Sequence, residues 1–249
     1  MRDQETADRP RSSLFGWWAL TYESLWGGLK HALLPRRDRV YRIALGPGRG
    51  IHIWTNPAHG GTRILLGRYE PPLMRWLQRA IKPGDIFYDL GSNNGHIALI
   101  AAKLVGSTGM VYAFEPSEAI RECLQANVAL NPDLAARIRV VPFAVGRTHD
   151  VASGKVALDD LIENRDHGIQ PPDVIKIDIE GAEADALEGM RRSIDRRCPL
   201  AFVECHSRDL HRAVKEFFES RGKHVVEASP SVFEVSRHGY NSWLYSSDT

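Results

Sequence analysis

Two groups of residues in this chain have the types and spacing that chemistry needs. The first is Asp89-Leu90-Gly91-Ser92-Asn93-Asn94-Gly95, set between an apolar run ending at Tyr88 and a second one from Ile97 to Val105. Glycines in a strand-to-helix turn let the backbone come close to a ligand without a side-chain clash. The amides that open such a helix are unsatisfied and partly positive, so they receive polar or anionic ligand groups. Glu115-Pro116 ends the next strand, 26 residues after Asp89, where a carboxylate can hold ribose hydroxyls. The second group is Lys176, Asp178 and Glu180 with Glu204 and His206, on two stretches that otherwise read as buried strands. Central parallel strands are normally continuous apolar runs, so ionisable side chains there need a reason.

The turn narrows the ligand. A dinucleotide fingerprint asks for GxGxxG, in which the middle glycine lets a pyrophosphate approach. This chain has DxGxxxG and lacks that glycine, which favours a cofactor without a pyrophosphate. S-adenosylmethionine fits, and Asp89, Gly91, Ser92, Asn93, Gly95, Glu115 and Pro116 are the expected contacts, with Ala144 just past the third strand. His206 is the natural general base at neutral pH, its unperturbed pKa being about 6.5. The alternative for Asp178, Glu180 and His206 is to ligate a divalent cation that orients and acidifies a hydroxyl. Metal-free base catalysis is favoured. A buried Lys176 has a simpler reading, as the partner of Glu204, because buried charges persist only when paired.

These groups need a frame to position them. After Asp85 strand and helix patterns alternate, with strands over Ile86–Leu90, Met110–Phe114, Ile138–Phe143, Val174–Asp178, Leu200–Glu204 and His224–Ala228. Trp243-Leu244-Tyr245 adds a seventh strand, and a hairpin link without a helix makes it antiparallel. Between them, Ile120, Leu124 and Val128 mark a helix that Ser117 can cap and Asn131-Pro132 ends. Ala182, Ala186, Met190 and Ile194 mark another, and Leu210, Val214, Phe217 and Phe218 a last one that stops at Gly222. A helix starts near Pro71, and Val40 to Leu66 reads as short antiparallel strands. The fold class is α/β: a seven-stranded, mostly parallel Rossmann-like sheet with one antiparallel strand, behind an N-terminal helix and short β extension. Residues 1–66 form the extension and 67–249 the catalytic domain.

Composition excludes some partners. In 249 residues, 32 basic side chains meet 31 acidic ones, and a net charge of +1 gives no field that draws nucleic acid or anionic lipid. Cys123, Cys198 and Cys205 form no CxxC pair and read as reduced structural thiols in a cytoplasmic protein. The N-terminus lacks a signal-peptide pattern. Residues 14–34, with Trp17, Trp18 and Trp26, are too interrupted to span a bilayer. They read first as a helix folded over the domain and second as a peripheral membrane contact. Nine histidines other than His206, His96 included, read as solvated or structural.

Taken in order, Gly67-Arg68-Tyr69-Glu70, the Asp89–Gly95 turn, Ala113-Phe114-Glu115-Pro116, Asn127 with Asn131, Leu158-Asp159-Asp160-Leu161, Ile175 to Glu183 and Val203-Glu204-Cys205-His206 resemble the FkbM family of S-adenosylmethionine-dependent methyltransferases. The resemblance covers about Gly67 to His206. It implies methyl transfer to a hydroxyl of a sugar, glycolipid or polyketide-like small molecule. It also implies that Asp89, Gly91 and Gly95 surround the methionine end, Glu115 holds the ribose and Asp178 lies near the sulfonium. Tyr69 and Glu70 fall on the substrate side. Ser92 stands where the family more often has alanine. Nucleic-acid methylation is disfavoured, because base amino-methylases resemble one another in an Asn/Asp-Pro-Pro-aromatic turn after the fourth strand, and Pro171-Pro172 here precedes it. The rival readings are a cofactor-binding scaffold without catalysis and a nicotinamide-dependent oxidoreductase.

Overall fold

The alternating strand and helix patterns of the chain build one twisted sheet with helices on both faces. The structure, a computed structural model, describes residues 38–57, 61–164, 168–228 and 242–247, so the tryptophan-rich segment 14–34 lies outside the described residues. The sheet has seven strands in the order β10-β11-β9-β8-β3-β4-β5. These are β3 (Ile86–Leu90), β4 (Met110–Phe114), β5 (Ile138–Val141), β8 (Val174–Ile177), β9 (Leu200–Cys205), β10 (His224–Ala228) and β11 (Ser242–Ser247). Parallel pairing runs from β5 to β9 through β4, β3 and β8, and β11 pairs antiparallel with both β9 and β10. The seventh strand is antiparallel, as the hairpin argument expects, and it lies between β9 and β10.

Alternation along the strands sends neighbouring side chains to opposite faces. Phe87, Val111, Val174 and Phe202 pack beneath α2 (Pro71–Ala80) and α3 (His96–Leu104). Tyr88, Tyr112, Ile175 and Val203 pack on the other face, against α6 (Leu158–Glu163), α7 (Glu183–Glu188) and α9 (Arg208–Glu219). Burial on both faces explains the apolar runs that marked these strands.

Several local expectations change. The third strand ends at Val141, since Pro142 has no N–H for the ladder, and Ala144–Val145 instead forms β6, paired with β7 (Lys155–Val156). The helix expected from Ala182 to Ile194 is two, α7 and α8 (Arg191–Arg196), broken at Gly189. A Cβ on Gly189 would stand 2.0 Å from the Gly146 carbonyl oxygen, so glycine at this break lets the loop after β6 pack against it. The N-terminal strands reduce to one antiparallel hairpin, β1 (Arg39–Arg42) with β2 (His52–Thr55), followed by the short helix α1 (Gly61–Leu65).

That hairpin is tied to the domain. Ile43, Ile51 and Ile53 are buried in the same core as α2 and α3. Two buried asparagines, on α4 (Glu118–Ala129) and just before the short α5 (Pro132–Ala135), complete the attachment. Asn127 accepts from the Trp54 amide at 2.7 Å and donates to the Asn94 carbonyl at 2.9 Å, while Asn131 bonds both the amide and the carbonyl of His52. On the same helix Leu124 is buried but Ile120 is exposed, so the expected apolar stripe is shorter than three residues.

Candidate functional site

The carboxyl ends of β3, β4 and β8 open into a cleft of about 560 Å³. Its size lies within the range of small-molecule sites, roughly 300–1,000 Å³. Gly91, Ser92 and Asn93 line it from the turn after β3, Glu115 and Pro116 from the end of β4, and Ala144 from β6. Asp178 and Glu180 line it beyond β8, and Tyr69 closes it ahead of α2. Asp89, Gly95, Glu70 and His206 do not face this cavity directly.

The turn is shaped by what lies behind it. Gly91 has φ 78°, and a Cβ there would fall 1.8 Å from the Asp178 carbonyl oxygen. The glycine is thus required by close packing of the turn onto the end of β8, in addition to any ligand. Asn93 takes the left-handed region at φ 48°, and its amide donates to Glu115 Oε2 at 3.1 Å. Glu115 Oε1 accepts from the Ser117 amide at 2.9 Å, and the Ser117 side chain makes no cap of its own. Both amides fix the Glu115 carboxylate and leave a lone pair on each oxygen for a ligand hydroxyl.

Beneath the turn, Asp89 is fully buried and neither of its carboxylate oxygens has a hydrogen bond. Burial pushes its pKa up, opposed by the charge of Lys176 at 3.4 Å. The Lys176 ammonium also sits 3.3 Å from Asp178 and donates to the Gly91 carbonyl at 2.9 Å. Burial lowers its pKa, but Asp89 and Asp178 outweigh that and hold it charged. The expected Lys176–Glu204 pair therefore gives way to Asp89 and Asp178: Asp89 reaches the ammonium across the β3–β8 boundary, where it is the register partner of Lys176, and Asp178 from the end of β8 itself.

His206 follows β9 and reaches the same place from the other side. Its Nδ1 lies 3.0 Å from Glu183 Oε1, and its Nε2 lies 3.5 Å from Glu180 and 3.7 Å from Asp178. The hydrogen bond to Glu183 is the largest of the causes that raise His206 to about 9, with burial opposing and the charges of Glu183, Glu204 and Asp178 adding. Glu183 is fully buried at the start of α7. Burial raises its pKa, but bonds from His206 and the Gly181 amide win and keep it ionised. Glu183 is a site residue that sequence reasoning passed over, although it stands three residues after Glu180 in the segment that carries the family resemblance.

A wider set of acids surrounds this pair. Among the described residues, Asp178, Glu204 and His206 offer ligand atoms within 4.8 Å of one another and could hold a cation, while Glu180, expected in that role, has a side chain that is 85% exposed. A divalent cation there would have to displace the His206 proton and share Asp178 with the Lys176 ammonium. Glu70 precedes α2 in the left-handed region at φ 37° without capping the helix. Burial first, then the charge of Glu204, pushes its carboxyl up to about 8. The non-glycine residues with positive φ among those described are Glu70, Asn93 and Glu180; the last two line the cleft and Glu70 follows its lining residue Tyr69. Such conformations cost about 1–3 kcal/mol each and gather at functional sites.

His96, read from sequence as structural, lines the cleft: it is 5% exposed, its Nδ1 has no partner, and its ring meets Tyr69 edge-on at 5.2 Å. Burial pushes its pKa down to about 4, so it is neutral. Cys205 is buried with its thiol pushed up to about 12 by burial, which suits a structural role.

A strand-order β10-β11-β9-β8-β3-β4-β5 sheet with this cleft agrees with the comparisons. Residues 89–225 match the methyltransferase FkbM domain family. The chain belongs to that family. The hexuronic acid methyltransferase AglP of Haloferax volcanii is 27% identical over 159 residues, covering 56% of this chain and 64% of that protein. The crystal structure of methyltransferase FkbM from Methylobacillus flagellatus superposes with a TM-score of 0.50 at 18% identity, over 70% of this chain and 50% of that one, a likeness of fold. The chain thus spans less than two thirds of either relative. The cleft fits S-adenosylmethionine, the cofactor expected of the turn: a carboxylate with free lone pairs ends β4, and the turn has no glycine for a pyrophosphate. Among the described residues no helix is long and apolar enough to cross a membrane.

Proposed function

We propose that the chain is an O-methyltransferase that acts on a hydroxyl of a sugar or sugar-like small molecule. The observation that carries this reading is the Glu183–His206 pair, an imidazole oriented by a buried carboxylate with its far nitrogen turned towards the cleft residues Asp178 and Glu180. The relative named as a hexuronic acid methyltransferase supports a sugar as acceptor.

S-adenosylmethionine, when bound, supplies an electrophilic methyl group and a neutral thioether as leaving group. The chain's own residues do the rest. Glu115, fixed by the Asn93 and Ser117 amides, accepts from ribose hydroxyls. The turn at Gly91–Asn93 sets the depth of the cleft. Glu183 fixes the His206 tautomer by accepting from Nδ1–H, so that the neutral form carries its lone pair on Nε2. That lone pair takes the acceptor hydroxyl's proton as the oxygen–methyl bond forms. A positioned base of this kind contributes about 10²- to 10⁴-fold.

The test is release of S-adenosylhomocysteine, with mass detection of the methylated product, across a panel of hexosides. His206→Ala is expected to lower kcat by about 10²-fold or more while the unfolding shift caused by S-adenosylhomocysteine stays. Methylation confined to nitrogen or carbon acceptors, or an equal loss of cofactor binding in the variant, would refute the assignment.

A further inference from the structure

We infer that His96 binds a second hydroxyl of the acceptor, one that is not methylated, and thereby decides which oxygen of a sugar is presented to His206; this deepens, and rests on, the sugar O-methyltransferase reading above. Among the described residues, the buried side-chain atoms without a hydrogen bond belong to Asp89, His96, Glu183 and Trp243. Asp89 is ion-paired with Lys176, Glu183 holds His206 through its other oxygen, and Trp243 does not line the cleft. His96 alone of the four lines it, with 5% of its surface exposed and its Nδ1 unpartnered. A buried polar atom left without a partner is costly, and a ligand that supplies one removes that cost.

The ring is held in place before any ligand arrives. His96 opens α3 directly after Gly95, which takes φ 82°. Its amide donates to Asn94 Oδ1 at 3.2 Å, and its imidazole meets the Tyr69 ring edge-on at 5.2 Å. Tyr69 in turn donates its hydroxyl to Glu70 and stands in the field of Asp178. The His96–Tyr69 corner therefore belongs to the β8 side of the cleft, where His206 approaches Asp178, while Glu115 ends β4 on the other side of β3. Burial pushes the His96 pKa down to about 4, so at neutral pH the imidazole is uncharged and too weak a base to take a hydroxyl's proton. An uncharged imidazole has one donor and one acceptor nitrogen, the pairing that a hydroxyl offers in return. Ile64, Ile97 and Tyr69 make an apolar wall around it, and a single polar group in such a wall fixes the orientation of what binds. The ligand class is a polyol, and a simple alcohol lacks the second contact.

The probes are methyl glucoside, mannoside and galactoside with their monodeoxy derivatives. Rates of S-adenosylhomocysteine release, the position of the methyl ether by NMR, and calorimetry into the full chain saturated with S-adenosylhomocysteine are compared for wild type, His96→Phe and His96→Asn. His96→Phe keeps a ring against Tyr69 and removes both nitrogens. KM and Kd for the best hexoside should rise about tenfold, a larger change than that in kcat, and methyl ethers at other positions should appear. His96→Asn returns an amide close to the place of Nδ1 and should recover part of the loss. One monodeoxy derivative, lacking a hydroxyl other than the one methylated, should bind wild type and His96→Phe alike. Affinity for S-adenosylhomocysteine should hold in both variants. A loss of that affinity as large as the loss for the hexoside, a loss that persists with every deoxy derivative, an unchanged hexoside Kd in His96→Phe, or no hexoside bound by wild type would overturn the inference. Failure of the O-methyltransferase reading looks different: the hexosides bind with this dependence on His96, but no methyl ether forms.

Discussion

The state of His206 makes the sharpest prediction. With its pKa raised to about 9, chiefly by the hydrogen bond to Glu183, the imidazole is charged at neutral pH. Only about 1% is then the neutral base at pH 7, so activity should climb about tenfold per pH unit and level off near pH 9. Glu183→Gln keeps an acceptor for Nδ1 but removes its charge, and the break should fall by one to two units, roughly towards the unperturbed 6.5. The same shift is a stability statement. Because the folded value is above the unfolded one, the contribution is fully present below about pH 6.5 and is lost as pH rises through about 9. At 1.36 kcal/mol per unit the ceiling is about 3 kcal/mol; solvent reaches part of the ring, and screening reduces this to about 1–2 kcal/mol. The assay is initial rate of S-adenosylhomocysteine formation from pH 6 to 10 for both proteins, alongside an NMR titration of the imidazole, which needs no acceptor. A flat profile between 6.5 and 9, or a break that stays in place in Glu183→Gln, would refute the reasoning.

Other residues give separate tests. Glu115→Ala removes the carboxylate held by two amides, so the roughly 2.7 kcal/mol of stabilisation expected from S-adenosylhomocysteine at 100 times its Kd should vanish from thermal unfolding; an unchanged shift would relocate the ribose site. Gly91→Ala drives a methyl group against the Asp178 carbonyl and should cost at least about 1–3 kcal/mol in urea unfolding, with a milder effect showing that the turn yields. Asn127→Ala strands the Trp54 amide and the Asn94 carbonyl, for a loss of about 1–3 kcal/mol and weaker S-adenosylhomocysteine binding by calorimetry, since Asn94 lines the cleft. For Glu70 the pH trend runs the same way as for His206, over a lower window: a carboxyl raised to about 8 costs stability as pH rises from about 4.5 to 8, so Glu70→Gln should raise Tm at pH 8 and leave it nearly unchanged at pH 4.

What the sequence shows of this protein and what it hides divide along a physical line. Ile86–Leu90, Met110–Phe114 and His224–Ala228 are found with the expected bounds, because a strand between helices announces itself by local apolar runs and turn residues. Glu115 was legible for the same reason: its place follows from where β4 stops. The errors are contacts between segments far apart in sequence. Lys176 turns to Asp89, 87 residues earlier by number, because its register partner on β3 is that acid, while its register partner on β9 is Phe202 and not Glu204. Ile120 sits at core spacing yet is exposed, and lines the cleft. His96 reads as an ordinary helix residue until its burial is known, and burial is what leaves its nitrogen without a partner. Glu183 was invisible as a site residue because its meaning depends on His206, 23 residues away on another element. The pattern of charges in the sequence promised a base at ordinary pKa; the assembled site instead stores negative charge around an imidazolium and a buried ammonium. That arrangement is a property of no single segment.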